Sequence, residues 1–232
     1  MDKKYKHLIF DLDRTLWDFE TNARVALNEI YLEYNLIEKG ISDFDEFELQ
    51  YKTINEVCWA DYRNGKLKKE VLRNLRFELT LKAFGIDDSK LVEKISDLYL
   101  YKSPRLTTVI DGTFDILNYL NQRYKLHILT NGFVEVQGIK MEKSGLKPFF
   151  DQVVASEYAG AKKPHPMAFE FTLDRINANA MDCLMIGDDP LTDIKGASDV
   201  GIDTVYFNPD GNKPSAYATY TIKHLMELKG IL

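Results

Sequence analysis

Short apolar runs that stop abruptly at polar residues recur along the chain. Lys6–Leu12 carries Leu8, Ile9 and Phe10 and then meets Asp11. Leu126–Thr130, Val153–Ala155, Cys183–Gly187 and Thr204–Phe207 repeat the pattern. Runs of this length, apolar at successive positions, predict strands buried on both faces, as in a parallel sheet. Helical spacing fills the gaps. Phe114, Leu117 and Leu120 follow Asp111-Gly112, a second stretch runs from about Phe133 to Ser144 with Gly145 as its stop, and a third opens at Pro166 with Phe169, Leu173 and Ile176 on one face. A fourth starts near Pro190 and ends before Gly201. Strands alternating with helices predict βαβ units: an α/β, Rossmann-like parallel sheet with helices on both faces.

The stretch from about Phe19 to Tyr101 lacks a strand pattern. Phe44, Phe47 and Tyr51, and then Leu67, Val71, Leu75, Leu79 and Phe84, keep a helical rhythm punctuated by Gly40, Gly65 and Gly85. This predicts a helical unit inserted after the first strand, with residues 1–17 and 104–232 forming the sheet domain and 18–103 the insertion.

Composition narrows the class. The chain has 232 residues, is 45% hydrophobic and carries a net charge of -6, so it has ample apolar surface for a core. An acidic balance disfavours a polymeric nucleic-acid partner, because that binding depends on Lys and Arg contacts to phosphates. Cys58 and Cys183 form no metal or disulfide spacing. The first apolar run is too short for a secretory leader, and no stretch reaches the length of a membrane span. The expectation is a cytoplasmic protein with no membrane partner. Its oligomeric state is not legible in the sequence.

The polar residues that end the strands carry the chemistry. In open α/β sheets, ligands bind beyond the carboxyl ends of the strands. There the sequence offers Asp11 and Asp13, then Thr130-Asn131-Gly132, then Lys163 in a Lys-Lys-Pro-His-Pro loop, then Asp188 and Asp189 with Asp193 one turn later. These groups fit phosphoryl transfer to a carboxylate. Asp11 would be the nucleophile, and Asp13 the acid that protonates the leaving oxygen and then the base that activates water. Near neutral pH the acid role asks for a carboxyl raised above its ordinary value of about 3.9. Asp11 and Asp188 are hard oxygen ligands suited to magnesium (Mg2+), which would offset the charge of the phosphate. Thr130, the amides around Asn131 and Gly132, and Lys163 would hold the non-bridging oxygens.

Phe10-Asp11-Leu12-Asp13-Arg14-Thr15-Leu16, Thr130-Asn131-Gly132, Lys163-Pro164 and Gly187-Asp188-Asp189-Pro190-Leu191-Thr192-Asp193 together resemble the four motifs of the haloacid dehalogenase superfamily in its phosphatase form. Their order spans nearly the whole chain. The resemblance implies a Rossmann-like core with a helical cap after the first strand. It also implies magnesium on the Asp11 side chain, the Asp13 main-chain carbonyl and Asp188, with Asp193 in support. Asp11–Asn22, Thr130–Gly145 and the Trp59–Phe77 stretch are similar to the bacterial house-cleaning pyrimidine 5′-nucleotidases. That likeness implies a small phosphomonoester substrate, a nucleoside 5′-monophosphate. Arg14 stands where the family commonly has a small or polar residue.

Each motif also has an ordinary structural reading: a solvated turn for Asp11-x-Asp13, an Asn-Gly turn, a surface lysine, a helix N-cap for Asp189. Trp17 and Trp59, with Phe19, Tyr62, Arg63 and Arg76, are candidates for a base-recognition surface, or simply core aromatics. Four other activities share the motifs. They are a sugar-phosphate or phosphoglycolate phosphatase, a phosphomutase, a 2-haloacid dehalogenase, and a regulatory module without turnover. The paired Asp13 and Asp188 argue against the dehalogenase.

Overall fold

The computed structural model describes residues 5–232, so the first four residues of the expected sheet domain lie outside it. The chain runs from β1 (His7–Phe10) into four helices: α1 (Phe19–Glu33), α2 (Phe44–Arg63), α3 (Lys69–Ala83) and α4 (Ser89–Lys102). It continues through α5 (Thr113–Leu120), β2 (Lys125–Thr130), α6 (Val134–Lys143), β3 (Gln152–Ala155), α7 (Pro166–Ile176) and β4 (Cys183–Gly187). A π-helical stretch, Pro190–Lys195, leads into the short α8 (Gly196–Asp199), followed by β5 (Asp203–Phe207) and β6 (Tyr220–Ile222).

The strands form one sheet in the order β3-β2-β1-β4-β5-β6, every neighbouring pair parallel. This is the expected α/β architecture. The sixth strand lies outside that expectation, because Tyr220-Thr221-Ile222 is an edge segment of three residues with only Ile222 buried. The winding reverses at β1, which pairs with β2 on one side and β4 on the other. Such a reversal opens a crevice at the carboxyl ends of the two strands. On one face, Ile9, Leu129, Val154, Cys183 and Met185 pack with Phe169 and Ile176 of α7 and Ala197 of α8. Leu8, Phe10, Ile128 and Ile186 alternate with these and are equally buried. Burial on both faces is why the strands read as continuous apolar runs.

The chain divides into two compact units, one holding everything up to Phe19 and from Thr107 on, the other Glu20–Leu106. Its breaks fall at 19/20 and 106/107, against 17/18 and 103/104 from the sequence pattern. The second unit is helical. Leu27, Ile30, Phe47, Tyr51, Phe77, Leu81, Ile95 and Tyr99 of α1–α4 form its core. Two of its helices, α2 and α4, begin at side-chain caps: Asp43 accepts the Asp45 N–H at 2.9 Å and Asp88 that of Leu91 at 3.0 Å. Among the described residues, no helix is long and apolar enough to cross a membrane.

Candidate active site

Asp11 leaves the end of β1 at the crevice. Its N–H still bonds to the Ile186 carbonyl of β4 at 2.9 Å, which ties its backbone to the sheet. Its Oδ1 accepts a hydrogen bond from the Lys163 Nζ at 2.6 Å. Lys163 is 1% exposed, and its ammonium also donates to the Leu129 carbonyl at 2.8 Å and to Asp193 Oδ1 at 2.6 Å. An ammonium has three protons, and these partners use all of them.

Asn131 holds this lysine from behind. Its Nδ2 donates to the Lys163 carbonyl at 3.0 Å, and its Oδ1 accepts from the Lys163 N–H and the Ser156 hydroxyl, both at 2.9 Å. Its side chain is spent bracing the Lys163 loop, so only its backbone remains for an anion.

Asp11, Asp188 and Asp193 each present an oxygen within 4.8 Å of the others. Asp188 ends β4, and the Thr15 hydroxyl donates to its Oδ1 at 3.1 Å. Asp193 comes back from the π-helical stretch, with its Oδ2 accepting the Asp189 N–H at 3.1 Å. Gly187 permits that return, since a Cβ there would overlap the Asp193 side chain. Three carboxyl groups therefore gather beside one ammonium, which pairs with two of them, so the cluster holds more acid than base. Burial pushes the Asp11 carboxyl up to about 7; Lys163 opposes the rise and the neighbouring Asp193 and Asp13 add to it. Burial, then Asp11 and Asp193, hold Asp188 well above the usual range, with Arg14 and Thr15 pulling down. Asp193 is raised by burial against the pull of Lys163. Burial would depress Lys163, yet the two carboxylates hold its ammonium above the ordinary lysine value. Buried oxygens with excess negative charge are the donor set of a hard divalent cation. Asp11 and Asp188 are the side chains that each keep an oxygen available for such an ion, because both Asp193 oxygens already have partners.

Asp13 sits two residues beyond Asp11, half-buried. Its Oδ2 accepts from the Gln137 Nε2 at 2.9 Å, and its Oδ1 is paired with the Lys140 ammonium. The same Gln137 nitrogen donates to Thr130 Oγ1 at 2.6 Å, and that oxygen also accepts the Gly132 N–H at 3.0 Å. Gly132 has to be glycine here, since a Cβ would overlap the Gln137 amide. Sequence reasoning passed over Gln137 and Lys140. Their spacing of three puts them on one face of α6, but nothing local says that this face looks toward the strand ends.

The remaining candidates each make contacts with their neighbours. Asp189 is the N-cap, its Oδ1 accepting the Leu191 and Thr192 N–H groups at 2.8 and 2.9 Å. His165 caps α7 through Met167 N–H at 3.2 Å. Arg14 adopts φ 64° and lays its guanidinium 4.8 Å from the Phe19 ring centre. Trp17 is 0% exposed, with the Lys140 ammonium 4.1 Å from its ring centre, so its ring has no open face for stacking. Trp59 is half-buried in the helical unit, edge-on to Tyr62 at 5.5 Å. Cys58 and Cys183 are free and buried.

Comparison with known proteins agrees with this geometry. The description of the haloacid dehalogenase-like hydrolases matches residues 5–201. The HAD-hydrolase YfnB of Bacillus subtilis is 36% identical over 99% of this chain and 96% of its own length. A crystal structure of YfnB bound to magnesium superposes with a TM-score of 0.90 at 34% identity, covering 99% of both chains. The pyrimidine 5′-nucleotidase PynA of Streptococcus pneumoniae is 33% identical over 97% of this chain and 93% of its length. The pyrimidine 5′-nucleotidase YjjG of Escherichia coli is 29% identical over 99% and 98%. With strand order, acidic cluster and buried lysine all in place, this chain belongs to the haloacid dehalogenase-like hydrolases.

Proposed function

We propose that the protein is a magnesium-dependent phosphomonoester hydrolase working through an aspartyl-phosphate, with nucleoside 5′-monophosphates, pyrimidines foremost, as substrates. The observation that carries this reading is the buried Lys163 held between Asp11 and Asp193 beside Asp188, an acidic cluster short of positive charge. The substrate class draws on the likeness to PynA and YjjG, and the metal on the likeness to YfnB.

The chain's own groups divide the work. An Asp11 carboxylate oxygen attacks phosphorus as the bond to the leaving oxygen breaks, and the Asp13 carboxyl gives that oxygen its proton, releasing the nucleoside. Asp13, now a carboxylate, takes a proton from water as the water oxygen attacks phosphorus. The Asp11–phosphorus linkage breaks, and inorganic phosphate leaves. The Thr130 hydroxyl and the Asn131 backbone amide bind the non-bridging oxygens, joined by Lys163 as Asp11 turns from it toward phosphorus, while the Gly132 N–H, held by Thr130 Oγ1, orients that hydroxyl. Asp11, Asp188 and the Asp13 main-chain carbonyl are the donors for magnesium, which would neutralise the charge gathered there.

The test is phosphate release from nucleoside monophosphates, sugar phosphates and phosphoglycolate, with halide release from 2-chloropropionate measured alongside. Nucleoside monophosphates should lead, chelator should abolish turnover, and Asp11→Asn should cost at least about a thousandfold in kcat. Halide release without magnesium, or near wild-type turnover by Asp11→Asn, overturns the reading.

A further inference from the structure

We propose that Gln137 and Lys140 of α6 are positioning residues, one helix face that aims the Asp13 carboxylate and the Thr130 hydroxyl together. The inference rests on the phosphatase reading above and deepens it.

Lys140 is 4% exposed, and among the described residues Asp13 is the one carboxylate its ammonium pairs with. Its position is fixed from the other side by the Trp17 ring at 4.1 Å and the Phe19 ring at 5.7 Å. Desolvating a lysine is expensive, and a buried ion pair is a poor source of stability. What the pair does supply is direction. With Oδ1 on Lys140 and Oδ2 on Gln137, the Asp13 carboxyl group has both ends tied to α6 and little freedom to turn, while each oxygen keeps a further lone pair for the proton it passes to the leaving group.

Gln137 extends the same control to Thr130. The Thr130 oxygen receives the Gln137 and Gly132 N–H groups, and those two donors occupy its lone pairs. Its own proton therefore has to point away from both, free to be donated to an anion. Gln137 is 1% exposed, and its Oε1 has no protein partner, so its amide is held by the two acceptors alone. A single side-chain nitrogen thus sets the angle between the acid and the phosphate-binding hydroxyl. Misplacing a reacting group by about 1 Å can cost on the order of a hundredfold in rate.

The test compares Lys140→Met, Lys140→Arg and Gln137→Leu on a nucleoside monophosphate and on p-nitrophenyl phosphate, whose leaving group needs little protonation. Lys140→Met should lower kcat on the nucleotide by about 10- to 100-fold with KM little changed. It should lose far less on p-nitrophenyl phosphate, and Lys140→Arg should recover most of the rate. Gln137→Leu, which frees Thr130 as well, should raise KM and lower kcat together. In an Asp13→Asn background, Lys140→Met should cost nothing further, because the two act as one unit. Equal losses on both substrates, or an unchanged penalty in the Asp13→Asn background, overturn the inference while the phosphatase reading stands. Failure of the wild type to release phosphate, or full activity in Asp11→Asn, overturns that reading and takes this inference with it.

Discussion

Asn131 shows how much one side chain can decide. Its amide makes three hydrogen bonds into the Lys163 and Ser156 segment, so it holds the backbone from which the Lys163 side chain projects. Truncation leaves a buried N–H and hydroxyl without partners, each worth about 1–3 kcal/mol. Asn131→Ala should therefore lower the thermal midpoint and cut kcat, read by melting and by phosphate release on the same preparation. A contact confined to the phosphate would instead raise KM and leave stability alone. Gly187 makes a complementary case. The Cβ of Gly187→Ala would overlap Asp193, so the substitution should dislodge that carboxylate from Lys163 and destabilise the fold by about 1–3 kcal/mol. Asn131 and Gly187 are both visible as motif residues in the sequence, but their partners are not. An Asn before a Gly reads as a turn until the loop more than thirty residues later is placed against it.

Strands and helices were legible to different degrees. β1, β2, β4 and β5 are buried on both faces, so their apolar runs are nearly unbroken and their polar ends stand out. β6 carries no such signal, being a short exposed edge. The helix expected near Pro190 is present, but its first part is π-helical, Pro190–Lys195. That wider turn is where Asp193 reaches back toward β4, a return no periodicity would reveal. Asp189, which starts this stretch, has N–H partners for its side chain and no pairing with Lys163. Asp189→Ala should then cost about 0.5–2 kcal/mol of stability, measured by urea unfolding, with kcat preserved. A large loss of kcat at unchanged stability would assign Asp189 to the chemistry instead.

For the molecule as a whole, two buried titratable clusters act on stability with opposite signs. Asp11, raised to about 7 from an ordinary 3.8, binds its proton more tightly folded than unfolded. Its contribution is fully present below the unfolded value and is lost as pH rises through about 7. On the proposed magnesium reading a divalent ion would replace the proton, so the gain in melting temperature on adding magnesium should be larger at pH 8 than at pH 6. Asp11→Asn should remove most of that difference. An identical magnesium shift at both pH values would place the ion away from this cluster. At the other end of β1 and β2, His7 and His127 stack with ring centres 5.3 Å apart, and burial, then His7, pulls His127 down to about 4. Its contribution is present above the ordinary histidine value of 6.5 and is lost as pH falls through about 4. Both groups titrate between about pH 4 and 7, so in the metal-free protein their effects offset each other, and His127→Gln should steepen the fall of melting temperature with rising pH across that range.

The amino-acid order by itself determined the alternation of strands and helices, the helical insertion after β1, and the identities of the groups at the strand ends. It could do so because burial on both faces leaves a continuous apolar signature, and because the four motifs are short and local. Only the tertiary structure decided which of those groups meet. The parallel order of the sheet brings Asp11, Asp188 and Asp193 within 4.8 Å, drives Lys163 between two of them, and turns Gln137 and Lys140 toward Asp13. These are contacts between residues from about 30 to more than 150 positions apart. Their geometry depends on strand order and helix facing, which the packing of the whole sheet unit selects and no local pattern records.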